Sequence, residues 1–142
     1  MRGSGSLACV THRFPIRVRF YELDPYYHVN HSVYVQYFEA ARIEMLRTVG
    51  LTMKAMEAEG VMLVVSEIAT KFLRPALADD ELMVATDLVE FKRVSSRWHQ
   101  RLMRGDELLV EQMVQAASTN LEGRPIRLPE PIAAPLRTFL DE

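Results

Sequence analysis

The chain has 142 residues, enough for one domain and too few for two of ordinary size. Hydrophobic residues make up 49% and charged residues 25%, so the chain can build its own core without a stabilising metal or cross-link. Its 17 basic and 19 acidic residues leave a formal charge of −2, which excludes the basic excess of a dedicated nucleic-acid binder, and its single cysteine excludes an internal disulfide framework.

Residues 1–11 read as a flexible tail, because Gly3-Ser4-Gly5-Ser6 has no hydrophobic stretch behind it. No secretory leader and no membrane span are expected, since no apolar run approaches about 20 residues. With one cysteine, these features point to the cytoplasm. The folded domain is expected over residues 12–128, with a C-terminal tail over 129–142.

From His12 to Leu23, Phe14, Ile16, Val18 and Phe20 share one parity and arginines mostly occupy the other. That alternation predicts a half-buried strand, ended by Asp24-Pro25. A loop to Asn30 precedes the clearest helix, His31 to Val49. Its Tyr34, Tyr37, Phe38, Ala41, Met45, Leu46 and Val49 recur at three- and four-residue spacing. Asn30 suits the N-cap and Gly50 the terminating position. A short helix is expected from Thr52 to Glu59. Four strands follow, over 61–73, 81–91, 95–103 and 107–121, with a tight hairpin at Gly105-Asp106. The proline-bearing segment from Pro125 onward reads as a surface tail. Strands in a block after one long helix imply α+β, with the sheet packed around that helix.

The chemistry concentrates between Arg19 and His31, where two carboxylates and two histidines join a strand end to a helix start. The simplest reading makes Asp24 the side-chain acceptor of a turn. A sharper one uses position. With Asn30 as cap, the backbone N–H groups of His31 and Ser32 are the first free donors of the helix, and its dipole favours an anion there. A carboxylate at Asp24, a few residues upstream, then stands beside preorganised donors, the minimum for acyl transfer.

Asp24-Pro25, His28-Val29-Asn30-His31, Tyr34 and Tyr37-Phe38-Glu39-Ala40-Ala41-Arg42 together resemble the hotdog-fold acyl-CoA thioesterases. The closest likeness is to their 4-hydroxybenzoyl-CoA thioesterase-like branch. Arg74-Pro75, with Asp79 or Asp80 beyond, is similar to that branch's link between strands. The resemblance spans about residues 12–128. It implies a five-stranded antiparallel sheet around the long helix, in a homodimer or homotetramer. It also implies hydrolysis of an acyl-CoA thioester, with acyl carrier protein as the alternative donor and no metal or cofactor. Asp24 takes the catalytic carboxylate position and the His31 N–H the oxyanion position. Tyr27, His28, Asn30 and Tyr34 take positions that shape the substrate loop. Many relatives have glycine where Tyr27 stands and asparagine where His31 stands. The bulk of Tyr27 is expected to reshape the acyl pocket. Some hotdog thioesterases carry the carboxylate on the central helix, where Glu39 is the second candidate.

Lys92-Arg93, with Arg97, is the densest basic cluster and the candidate for the phosphates of coenzyme A. Glu39 and Arg42 are spaced for a helix ion pair. Met53, Met56 and Met62 suggest an adaptable apolar wall. His28-x-x-His31 with Asp24 and Glu22 lacks a distant third ligand, so no metal site is expected. Two other activities fit a hotdog chain: an enoyl-thioester hydratase or dehydratase using Asp24 and His28, and a non-catalytic acyl-CoA binder.

Overall fold

A computed structural model describes residues 10–140. The expected N-terminal tail lies outside the described residues as far as Cys9, while Val10 is anchored by its N–H to the Phe139 carbonyl at 3.0 Å. The chain forms β1 (His12–Arg17), a short 3-10 turn (Phe20–Glu22), α1 (His31–Arg47), α2 (Met53–Ala58), β2 (Val61–Phe72), β3 (Glu81–Phe91), β4 (Ser95–Arg104), β5 (Glu107–Asn120) and α3 (Glu130–Arg137). The strands make one antiparallel sheet in the order β1-β3-β4-β5-β2, and α1 packs on one of its faces. This is the α+β class expected, with strand and helix limits close to those read from periodicity.

Two apolar clusters fill the space between α1 and the sheet. The first joins Tyr34, Tyr37, Phe38 and Ala41 of α1 to Leu82, Val84, Leu102 and Val110. The second joins Met45 and Leu46 to Leu88, Trp98 and Val114. Between them runs a row of polar residues in register across all five strands: His12, Thr86, Gln100, Gln112 and Thr70. Gln100 donates to Thr86 Oγ1 at 3.0 Å and to the Phe38 carbonyl at 2.8 Å, and Thr70 donates to Gln112 Oε1 at 2.8 Å. Thr86, Gln100 and Gln112 are wholly buried, and these bonds offset much of the cost of a polar seam in the core, although Gln112 Nε2 and His12 Nδ1 meet no partner among the described residues.

Two expectations fail, each for a local reason. The first strand stops at Arg17, and Phe20 is 82% exposed. Glu22 turns back to accept the Arg19 N–H at 2.8 Å, a side-chain bond that replaces the ladder and winds the 3-10 turn. The segment after Leu128 is not a surface tail: α3 buries Ile132, Ala133 and Leu136 in the second cluster. Pro131 stands in the first turn of that helix, where a missing N–H costs nothing, whereas Pro135 stands inside it and forgoes one backbone hydrogen bond, a loss set against the burial of Ile132, Ala133 and Leu136.

Candidate active site

The loop between the 3-10 turn and α1 is built as a miniature hairpin. Leu23 and Val29 form an antiparallel bridge, the Asp24 N–H meets the His28 carbonyl at 2.7 Å, and the Tyr27 N–H returns to the Asp24 carbonyl at 2.9 Å. The loop is held from behind by the segment after β2. Val29 donates to the Ala76 carbonyl at 3.0 Å, and His28 bridges Leu77. That segment is itself pinned by Asp80, which accepts from the Leu77 N–H at 2.8 Å and from Arg104 at 2.7 Å. Of the two aspartates after Arg74-Pro75, Asp80 therefore holds the link.

Asp24 is the acceptor of the turn, as the simplest reading expected, but with one oxygen only. Oδ1 takes the N–H groups of Tyr26 at 2.9 Å and His28 at 3.2 Å. Oδ2 meets no donor among the described residues. The carboxylate is thus fixed in direction while one oxygen stays free.

Asn30 caps α1 as expected. Its side chain accepts the Ser32 N–H at 3.0 Å, and its carbonyl accepts the Val33 N–H at 2.8 Å. Ser32 is thereby removed from the pair of free donors expected at this helix end. The His31 N–H meets no acceptor among the described residues, so the helix start presents one available donor two residues beyond the loop bridge. The His31 ring stands perpendicular to Phe72, with centroids 6.5 Å apart, and Phe72 also contacts Tyr34 at 5.7 Å.

Tyr34 is buried, and its hydroxyl oxygen accepts the Ala76 N–H at 2.9 Å. Burial, with the charge of Asp24 adding to it, raises the Tyr34 pKa, so the phenol stays neutral and positions the loop. Tyr27 has φ +65°, a left-handed conformation that glycine adopts freely and tyrosine rarely. Tyr27 is 77% exposed, so its side chain stands mostly in solvent.

Sequence reasoning missed the strongest brace. Glu22, weighed there only as a metal ligand, is buried and accepts the Tyr37 hydroxyl at 2.6 Å, while its own carbonyl takes the Asn30 N–H at 2.9 Å. One residue therefore ties the loop to both the cap and the second turn of α1. Burial and this hydrogen bond to a carboxylate push the Tyr37 pKa well up, so it remains a donor. The alternation that predicted an unbroken strand hid the link.

The remaining candidates lie elsewhere. Among the described residues no three histidine, cysteine, aspartate or glutamate side chains gather as a metal site. Glu39 is exposed on α1, two turns past the cap. Lys92 and Arg93 sit in the β3–β4 turn, across a cleft from Arg127 and Arg137. The site lies near the opposite end of β3, about 35 Å away at the usual rise per residue. One chain does not bring them to Asp24.

The model of the thioesterase-like superfamily matches residues 18–136. The acyl-CoA thioesterase YbgC of Haemophilus influenzae is 34% identical over 123 residues, covering 85% of this chain and 90% of that protein. A probable thioesterase from Bartonella henselae superposes with a TM-score of 0.79 at 32% identity, covering 84% of this chain and 99% of that one. A thioesterase from Thermus thermophilus, solved with coenzyme A and Zn, gives 0.79 at 30% identity over 93% and 95%. The shared architecture is the hotdog fold that the sequence resemblance implied.

Proposed function

We propose that this chain, which belongs to the thioesterase-like superfamily, hydrolyses an acyl-CoA thioester to the free acid and coenzyme A. The observation that carries the reading is the pairing of a directed Asp24 carboxylate, one oxygen unbonded, with the unclaimed His31 N–H at the start of α1. The substrate carbonyl oxygen would sit on that N–H, where the helix end stabilises the oxyanion. Losing one such donor typically costs about 3 kcal/mol of transition-state stabilisation. In one route Asp24 Oδ2 attacks the carbonyl carbon, the C–S bond breaks, the thiolate leaves and takes a proton, and water then opens the acyl anhydride. In the other, Asp24 takes a proton from water as the resulting hydroxide attacks, and that proton passes to the departing sulfur.

The proposal includes a homodimer as the working unit, with a tetramer of two such dimers as its extension. Its support is β2, a 12-residue edge strand with Val64, Val65, Ile68 and Phe72 exposed beside the open site. Antiparallel pairing of two β2 edges would bring the Lys92–Arg93 turn of a second copy to the catalytic end of the sheet. It would lie four strand spacings, about 19 Å, to one side. That is how these two residues would serve as phosphate ligands. No helix among the described residues is long and apolar enough to cross a membrane, and the proposal places the reaction in the cytoplasm.

The test is release of free thiol from acetyl-, benzoyl-, octanoyl- and palmitoyl-CoA, and from an acylated carrier protein. The wild type is expected to release thiol from at least one donor, and Asp24→Asn to lose at least about a hundredfold in kcat while keeping its fold. Near-normal kcat in the variant would sink the assignment of Asp24. An intact thioester after enoyl-CoA hydration, or binding without turnover, would move the chain to the hydratase or binder readings. In single turnover in ¹⁸O-water, label in Asp24 marks the nucleophilic route, with water opening the anhydride at the Asp24 carbonyl carbon, because general-base hydrolysis places the label in the released acid alone.

A further inference from the structure

Helix α1 covers one face of the sheet, and the opposite face carries a pattern of its own. There the register of β1, β3 and β4 sets three rows side by side. Arg13, Ala85 and Arg101 form the first row, and Pro15, Met83 and Met103 the second. The third holds Arg17 and Glu81 and is closed by the Gly105-Asp106 turn. Together the rows line an open groove of about 820 Å³, apolar along its middle and charged at both ends.

Most of that charge is matched within the chain. Arg17 pairs with Glu81 at 2.7 Å, and Arg101 with Asp87 at 3.1 Å. Arg13 and Asp106 are left over, since neither meets an opposite charge among the described residues. They stand at diagonal corners of the groove, two strands and at least four residues apart, or about 17 Å. No rotamer joins them across that span. A surface with an apolar centre and one spare charge of each sign at opposite corners is complementary to itself. An isologous contact has this property, because residue i meets j of the second copy while j meets i. Met83 lies midway between the corners, on the middle strand and in the middle row. A two-fold axis lying in the face over Met83 therefore sets Arg13 of each copy on Asp106 of the other. It also packs Met83 against its own counterpart, with the strands of the two copies crossing steeply, a known mode of sheet stacking.

We propose that this face of β1, β3 and β4 binds a second copy of the chain, joining two β2-paired dimers into a tetramer. The edge strand β2 lies at the other side of the sheet, so both contacts can form at once. The count of four rests on the proposed β2 pairing; the self-association of this face does not.

Sedimentation velocity of the full chain at micromolar concentration reads the assembly directly, and the wild type is expected as a tetramer. Met83→Glu puts two carboxylates on the axis and should leave dimers. Arg13→Glu and Asp106→Arg each set like charges at both corners and should weaken the tetramer at least about tenfold. The double variant restores opposite charges and should recover the tetramer, which a misfolded chain could not do. Thiol release per chain should be unchanged throughout, since none of the three residues bonds the Asp24 loop. A wild type no larger than a dimer and unaltered by Met83→Glu would overturn the proposal. So would a tetramer that persists in Met83→Glu, or a double variant as weak as either single one. A wild-type dimer that Met83→Glu splits into monomers would uphold this face and sink the β2 pairing instead.

Discussion

The Tyr37 hydroxyl donates to the Glu22 carboxylate at 2.6 Å, joining the second turn of the central helix to the strand side of the Asp24 loop. Because the Glu22 carbonyl also holds the Asn30 N–H, the distance between Asp24 and the helix start is set from both ends. Tyr37→Phe leaves a buried carboxylate short of a donor, at a cost of about 1–3 kcal/mol. Thermal unfolding should show the loss. On the proposed mechanism, thiol release should show a lower kcat, because Asp24 and the His31 N–H are no longer held in register. Glu22→Gln keeps an acceptor for Tyr37 and should restore much of kcat relative to Glu22→Ala. Equal turnover in all three would refute the brace.

Tyr27 holds a left-handed backbone that costs a side-chain-bearing residue roughly 1–2 kcal/mol. Its ring is mostly in solvent, so little packing is lost with it. Tyr27→Gly should raise stability by about 1 kcal/mol, or a few degrees in Tm for a chain of this size. Tyr27→Ala keeps the strain and should give no such gain. A fall in Tm with glycine would mean that the ring makes contacts the single chain does not show.

His12 gives a pH dependence of definite sign. Burial holds its imidazole below the ordinary value of 6.5, against a weaker upward pull from Glu44, and Nδ1 is buried without a partner. The folded state therefore prefers neutral His12, whereas the unfolded chain takes up its proton near 6.5. Stability from this group is complete above 6.5 and declines as pH falls toward the folded-state value. Tm measured at pH 7.5 and 5.5 should fall more in the wild type than in His12→Gln. Identical falls would remove His12 from the account.

Helix α3 makes the C-terminal segment part of the core. Ile132 is almost wholly buried against the second cluster, and Ile132→Ala should cost about 2–5 kcal/mol in urea unfolding. A change below about 0.5 kcal/mol would show that the segment docks too loosely to matter.

The sequence made local features legible and long-range ones not. Asn30 as cap follows from its place before an apolar three–four rhythm, and the chain bears it out at the Ser32 N–H. The limits of β3 follow from alternation through Leu82, Val84 and Leu88 and match the structure. Asp24 stands out as a candidate because its neighbours carry a specific pattern. Arg42 was assigned to a surface pair because the residue 58 positions away that draws it inward, Gln100, leaves no trace in its own neighbourhood. Glu22 and Tyr37, 15 positions apart, escaped for the same reason. The separation of Lys92 and Arg93 from Asp24 is a matter of strand length and direction, which no spacing along the loop discloses.

The polar row across the sheet also bears on how the chain avoids misassembly. Successive side chains of a strand face opposite sides, so a slip of β4 by one residue would turn Gln100 away from Thr86, Gln112 and Phe38 together. It would also swing Arg97, Arg101 or a neighbour into the space beneath α1. With aliphatic residues in place of the row, the same slip would lose apolar burial but leave no polar group of the row unpaired. Here the misaligned sheet would strand several amide and hydroxyl groups at once, so the row acts as a key that admits one alignment of the five strands.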